Sequence, residues 1–166
     1  MLIEENALIL HAACADTPYG GLLFTGMSGA GKSTQADLWC QDGQGRLSNG
    51  DRPVIKETSE GWMAYGSPYA GSSGCHLQES CSIRAIVIPK KAKICEIRQL
   101  HGAEMFRQVY QNITINSWDR EFVSKAGTLT AQLLQCVPVY ELRCTKEKEA
   151  VECLQDLLEK ERETWI

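Results

Sequence analysis

Short apolar runs dominate the first two thirds of the chain, and longer-period amphipathic stretches dominate the last third. Residues 7–14 are apolar except for His11 and predict a buried strand. Residues 16–21 are dense in turn formers, and residues 21–25 predict the next strand. So short a connection makes the two strands antiparallel neighbours, which points to a mixed sheet. Residues 33–41 set Ala36, Leu38, Trp39 and Cys40 among polar residues without Gly or Pro, and predict a helix. Residues 42–45 form a turn. Residues 53–58 and 61–66 predict a hairpin turning at Glu60-Gly61. Residues 82–89 hold the strongest buried-strand pattern: Ile83, Ala85, Ile86, Val87 and Ile88. Residues 90–93 read as a basic, solvated turn, and residues 94–100 as the hairpin partner of the preceding strand.

From His101 the period becomes helical, with Ala103, Phe106, Val109 and Tyr110 on one face. Ser117 or Asp119 caps a further helix running to about Gln135. Residues 137–144 predict a last strand. Thr145 reads as the N-cap of a final helix that buries Val151, Leu154, Leu157 and Leu158, although Lys148 stands where a capping box would want Glu. The order of elements predicts an α/β fold with a mixed sheet, in a single domain over residues 1–166, without repeats or linkers.

Composition narrows the class. The net charge of −4 comes without a basic block, which argues against nucleic acid as a partner. No apolar run is long enough to span a bilayer, and the acidic start lacks a signal-peptide pattern, so a cytoplasmic, non-membrane protein is expected. Of the eight cysteines, Cys14, Cys136 and Cys144 read as small buried hydrophobes, and reduced thiols are expected throughout. Cys75, His76 and Cys81 resemble metal ligands in type only, since no C-x-x-C pair accompanies them.

The chemistry concentrates in Gly26-Met27-Ser28-Gly29-Ala30-Gly31-Lys32-Ser33, which fits G-x-x-x-x-G-K-[ST]. Glycines allow consecutive backbone N–H groups to turn inward as a nest for phosphate oxygens. The predicted strand before the loop and helix after it supply the required context. The expected nucleotide-binding set is Gly26, Ser28, Gly29, Ala30, Gly31, Lys32, Ser33 and Thr34, with Lys32 on the outer phosphates and Ser33 on Mg²⁺. Asp51 follows a short apolar stretch and is a second candidate for the metal or for an attacking group. Asn49-Gly50 beside it is also a strong hairpin signal. His11 reads either as a core histidine or as a proton-handling group.

Taken together, these residues resemble the catalytic domain of HPr kinase/phosphorylase, and more broadly the small kinases with a phosphoenolpyruvate-carboxykinase-like fold. The resemblance rests on the hairpin entering Gly26–Ser33, on His11 twenty-one residues before Lys32, and on Gly50-Asp51-Arg52 near the family's Asp-Asp-Arg. It covers residues 7–54. The resemblance implies a mixed-sheet P-loop fold, use of ATP and Mg²⁺, and transfer to a serine hydroxyl on a protein, peptide or small molecule. It also implies catalytic roles for Asp51, His11 and Lys32, a metal contact from Ser33 and Asp51, and an oligomer, as the resembled kinases commonly form. Gly50 replaces the family's first aspartate, which resembles its general base. Asp51 then serves as base, or Asn49 and His11 share the positioning, or the protein is a nucleotide-binding regulatory module without catalysis. A loop holding pyrophosphate or a phosphorylated metabolite is a third reading. Residues 67–81 and 112–120 are expected to border the acceptor, residues 67–74 read as a substrate flap or as a solvated linker, and Arg120 is a candidate stabiliser of the transferring group or a helix-surface arginine.

Overall fold

The computed structural model describes residues 2–41, 43–67 and 79–164. Cys75, His76 and nearly all of the Ser/Gly/Pro-rich stretch expected to act as a flap lie outside the described residues. A 3₁₀ turn at Leu2–Glu5 leads into β1 (Ala7–Ile9), β2 (Ala12–Thr17), β3 (Gly20–Thr25) and helix α1 (Lys32–Gln41). Strands β4 (Arg46–Asn49), β5 (Val54–Thr58), β6 (Gly61–Tyr65), β7 (Ser80–Lys91) and β8 (Glu96–Gln99) follow. The chain ends with α2 (Gly102–Tyr110), α3 (Arg120–Cys136), β9 (Val139–Cys144) and α4 (Glu149–Thr164).

Among the described residues these strands form one mixed sheet in the order β1-β5-β6-β7-β3-β2-β4, with β9 beside β7 and β8 beside β9. The β2–β3 hairpin is antiparallel, with Ala12 opposite Thr25, as the short connection required. β3 runs parallel to β7, and β7 parallel to β9. β4 is antiparallel to β2 and therefore points the same way as β3. Both faces of the central strands are buried. Leu23, Ile86 and Ile88 pack on one face with Val109 and Leu133, under α2 and α3. Leu22, Phe24 and Val87 pack on the other with Trp39, Leu154 and Leu158, under α1 and α4. Two covered faces explain why the central strands read as continuous apolar runs.

Several expectations are corrected. The run 7–14 is two strands, β1 and β2, with the break at His11. β4 and β5 are not paired, so Asn49-Gly50 closes no hairpin between them. β8 is not the hairpin partner of β7, because β9 lies between them. Val139, Tyr140, Leu142 and Cys144 of β9 are buried and need cover on both faces, whereas β8 is largely exposed and suits an edge. β7 itself runs on through Lys91, so the basic turn starts later.

Ala103 is exposed and Met105 joins Phe106, Val109 and Tyr110 in the core instead. Asp119, not Ser117, caps α3, accepting from the N–H groups of Glu121 and Phe122. Thr145 does not cap α4, which begins at Glu149, and the Thr145 hydroxyl is buried without a hydrogen-bond partner among the described residues. Cys136 is exposed rather than buried. The described cysteines are free thiols, and Cys14 and Cys81 lie 3.7 Å apart in the core. Among the described residues, no helix is long and apolar enough to cross a membrane.

Candidate functional site

Strands β3, β4, β7 and β9 all end on the same edge of the sheet, and β2 begins there. Open α/β sheets bind ligands at the carboxyl ends of their strands. A cleft of about 480 Å³ lies on this edge, lined by His11, Ser28, Gly29, Gly31, Lys32, Ser33, Thr34, Gly50, Asp51, Lys91 and Lys146.

The glycine-rich loop connects β3 to α1. Gly29 and Gly31 have φ of 78° and 101°. An added Cβ at either would meet nothing within 4 Å, so the requirement for glycine there is conformational. Gly26 and Ala30 build the loop from behind: a Cβ on Gly26 would come within 3.3 Å of the Ala30 Cβ. α1 starts with the Gln35 N–H bonded to the Gly31 carbonyl at 2.9 Å. The N–H groups of its first turn, around Lys32, Ser33 and Thr34, therefore face the cleft as free donors at the positive end of the helix dipole. The Lys32 ammonium donates to the carbonyls of Gly26 (2.9 Å) and Met27 (3.1 Å), which fixes it across the loop. Burial lowers the Lys32 pKa, and nearby Asp51 opposes that shift.

His11 and Asp51 meet beside this loop. The His11 carbonyl accepts from the Thr25 hydroxyl at 2.8 Å, next to the start of the loop, and the His11 N–H donates to the Asn112 carbonyl at 2.8 Å. Asp51 is held by its backbone: its carbonyl accepts from the Ala12 N–H at 2.8 Å. Fully buried Asn49 makes an Asx turn, its side-chain oxygen accepting from the N–H groups of Asp51 (3.0 Å) and Arg52 (2.9 Å). Asn49 in turn donates to the carbonyl and hydroxyl of Ser67. The outcome is a His11 Nε2 to Asp51 Oδ1 distance of 3.1 Å, with Arg52 Nε 3.5 Å from Asp51 Oδ2. Desolvation and then Lys32 lower the His11 pKa from its ordinary value, Asp51 raises it, and Arg52 lowers it.

The predicted residues thus converge, while Arg120 opens α3 on the surface and does not line the cleft. Sequence reasoning missed Lys91 and Lys146. Lys91 was hidden in a basic stretch that read as a solvated turn, and Lys146 carries no local signal. Only the parallel placement of β7 and β9 brings both to the edge where the loop lies.

The donor set fits a polyphosphate with a hard divalent cation: loop amides and ammonium groups for the phosphates, a Ser33 hydroxyl and one carboxylate for the cation. Among the described residues no three His, Cys, Asp or Glu side chains cluster as a metal site. A cation in this cleft would rely on substrate oxygens and water for its remaining ligands, as Mg²⁺ commonly does.

No protein-family model matches the sequence, and no curated protein matches it. Among solved structures, the chain is similar to the HPr(Ser) kinase/phosphatase from Coxiella burnetii, with a TM-score of 0.56 over 93% of this chain and 98% of that one, at 12% identity. The two chains share a fold. The mixed α/β architecture is thus HPr-kinase-like, and the likeness in fold extends over nearly the whole chain, beyond residues 7–54.

Proposed function

We propose that this chain is an ATP- and Mg²⁺-dependent phosphotransferase of the cytoplasm, acting as one domain on a serine-type hydroxyl of a small protein, peptide or small molecule. The observation that carries the reading is the His11–Asp51 pair, 3.1 Å apart, in the same cleft as the phosphate loop. A nucleotide-binding loop alone would support binding. A carboxylate oriented by an imidazole beside it supports transfer. The likeness to an HPr(Ser) kinase/phosphatase supports the same class.

Lys32 and the loop amides would hold the polyphosphate, and Ser33 and Asp51 would hold Mg²⁺, which neutralises charge on phosphate oxygens. The remaining work falls to side chains of this protein. His11 Nε2 stands 3.1 Å from Asp51 Oδ1, close enough to orient that carboxylate. That contact, with Arg52 Nε 3.5 Å from the other oxygen, places a cationic or polar group beside each carboxylate oxygen. Where Asp51 serves as base rather than metal ligand, it would accept the proton of the acceptor hydroxyl as that oxygen attacks the terminal phosphorus and the bond to the departing nucleoside diphosphate breaks.

Calorimetric titration with ATP and Mg²⁺ tests the binding half, with Lys32→Ala expected to abolish binding. Phosphate transfer to serine-ended peptides tests the chemical half, with Asp51→Asn expected to bind nucleotide yet transfer nothing. Full transfer by Asp51→Asn would sink the assignment. A second reading, a non-catalytic nucleotide-binding module, is favoured by one feature: with Gly50 in place of a carboxylate, Asp51 is the sole carboxylate lining the cleft among the described residues. It expects Mg²⁺-dependent binding without turnover.

A further inference from the structure

Two cations of the cleft have no part in the chemistry above. Lys91 is the last residue of β7, and Lys146 follows the end of β9 by two positions. The strands are parallel neighbours with Lys91 opposite Cys144, so the two lysines leave the sheet edge side by side. Both are exposed, both line the cleft, and neither has an ion-pair partner among the described residues. With Lys32 they make three ammonium groups against one carboxylate in a single concavity, among the described residues. In a chain of net charge −4, such a local excess is directed at an anion rather than being a general property of the surface.

Their position in the strand order assigns them an end of that anion. Across the edge, the order is β4, β2, β3, β7, β9. His11 and Asp51 stand on the β2/β4 flank, the phosphate loop stands at the centre after β3, and Lys91 and Lys146 stand on the β7/β9 flank. Resting on the proposed kinase reading, transfer takes place at the β2/β4 flank, so the terminal phosphate lies there. The polyphosphate must cross the loop with its nucleoside end toward the opposite flank.

We propose that Lys91 and Lys146 are the nucleotide-positioning pair of this site, holding the phosphate next to the nucleoside rather than the one transferred. The substrate class is therefore a nucleoside di- or triphosphate, gripped at both ends of its phosphate chain. Because both lysines are exposed, each contributes only the few-fold of a solvated ion pair, and together about tenfold in affinity.

The test is calorimetric affinity for Mg·ATP and Mg·ADP, measured on the wild type, Lys32→Ala, Lys91→Ala/Lys146→Ala, the doubly charge-retaining Lys91→Arg/Lys146→Arg, and Lys90→Ala as a surface control. The double alanine variant is expected to weaken ATP and ADP by the same factor, on the order of tenfold. The arginine variant should recover most of it, and Lys90→Ala should match the wild type. Unfolding curves matching the wild type would show that the alanine loss is local. Unchanged affinities in the double alanine variant, with Lys32→Ala still abolishing binding, would overturn the pair and leave the kinase reading intact. A loss confined to ATP would overturn the assignment too, because it would place the lysines on the terminal phosphate. A wild type that binds neither nucleotide would remove the kinase reading and this inference with it.

Discussion

Replacing Asn49 by Ala isolates the device that aims Asp51. Asn49 is fully buried, and its side-chain oxygen accepts two backbone N–H groups at 3.0 and 2.9 Å, those of Asp51 and Arg52. Its amide also donates to Ser67 at 3.3 and 3.4 Å, distances that make those bonds the weaker ones. Alanine keeps the backbone able to turn but leaves two donors unpaired in a part-buried turn. At about 1–1.5 kcal/mol for each orphaned group, the loss of stability is about 2–3 kcal/mol. For a chain of this size that is a fall in melting temperature of roughly 4–12 °C. The loss should separate into two readouts. Chemical denaturation reports the stability term. Phosphate transfer reports the position of Asp51, and it should fall more than Mg·ATP affinity does, because the glycine-rich loop is anchored independently on β3 and α1. An Asn49→Ala protein that loses under 1 kcal/mol and transfers phosphate normally would refute the idea that the Asx turn holds the site together.

Three further outcomes follow from the same geometry. His11 should titrate below its ordinary value near 6.5 when followed by NMR. With the folded pKa lowered, its contribution to stability is present above that value and is lost as the pH falls through it toward the folded pKa, and Asp51→Asn should lower the His11 pKa further whereas Lys32→Ala should raise it. Gly21→Ala puts a Cβ 2.6 Å from the Cys81 sulfur and 3.1 Å from the Ser82 carbonyl, and should destabilise by about 1–3 kcal/mol in urea unfolding, with partial recovery in Gly21→Ala/Cys81→Ala. Gly50→Asp restores a carboxylate beside Asp51; appearance of transfer only in that variant would favour the non-catalytic reading of the wild type, whereas weaker nucleotide binding without new activity fits an Asp51 that already suffices.

The parts of the fold that were legible in the sequence are those governed by short-range rules. The loop from Gly26 to Ser33 is specified by residue type at fixed spacing, and the β2–β3 hairpin by a connection too short for anything else. The parts that were not legible depend on pairing between distant segments. Residues 94–100 alternate as an edge strand should, and nothing local says that β9, some forty residues later, takes the place beside β7. Thr145 has the residue type of a cap, but the helix starts four residues on, at Glu149, and the hydroxyl is left in the interior. Asn49-Gly50 has the residue types of a hairpin turn, yet Ser67 offers the Asn49 amide a partner and the side chain folds inward to hold Asp51.

The same distinction decides how the cleft came to be only half visible. Lys32 and Ser33 belong to a motif, and Asp51 follows a strand end, so each is marked by its own neighbours. His11 interrupts an apolar run, and that interruption is where β1 stops and β2 starts; a polar residue in the run marked a change of strand as well as a side chain facing the cleft. Lys91 and Lys146 carry no such mark. They become site residues because β7 and β9 are parallel to β3 and so deliver their last residues to the edge where the loop lies. Had residues 94–100 paired with β7 as a hairpin, that edge would have been closed on the β7 side by an antiparallel strand, and Lys146 would stand elsewhere. The crossover through α2 and α3 that inserts β9 therefore does more than complete the sheet: it supplies the cationic flank of the cleft.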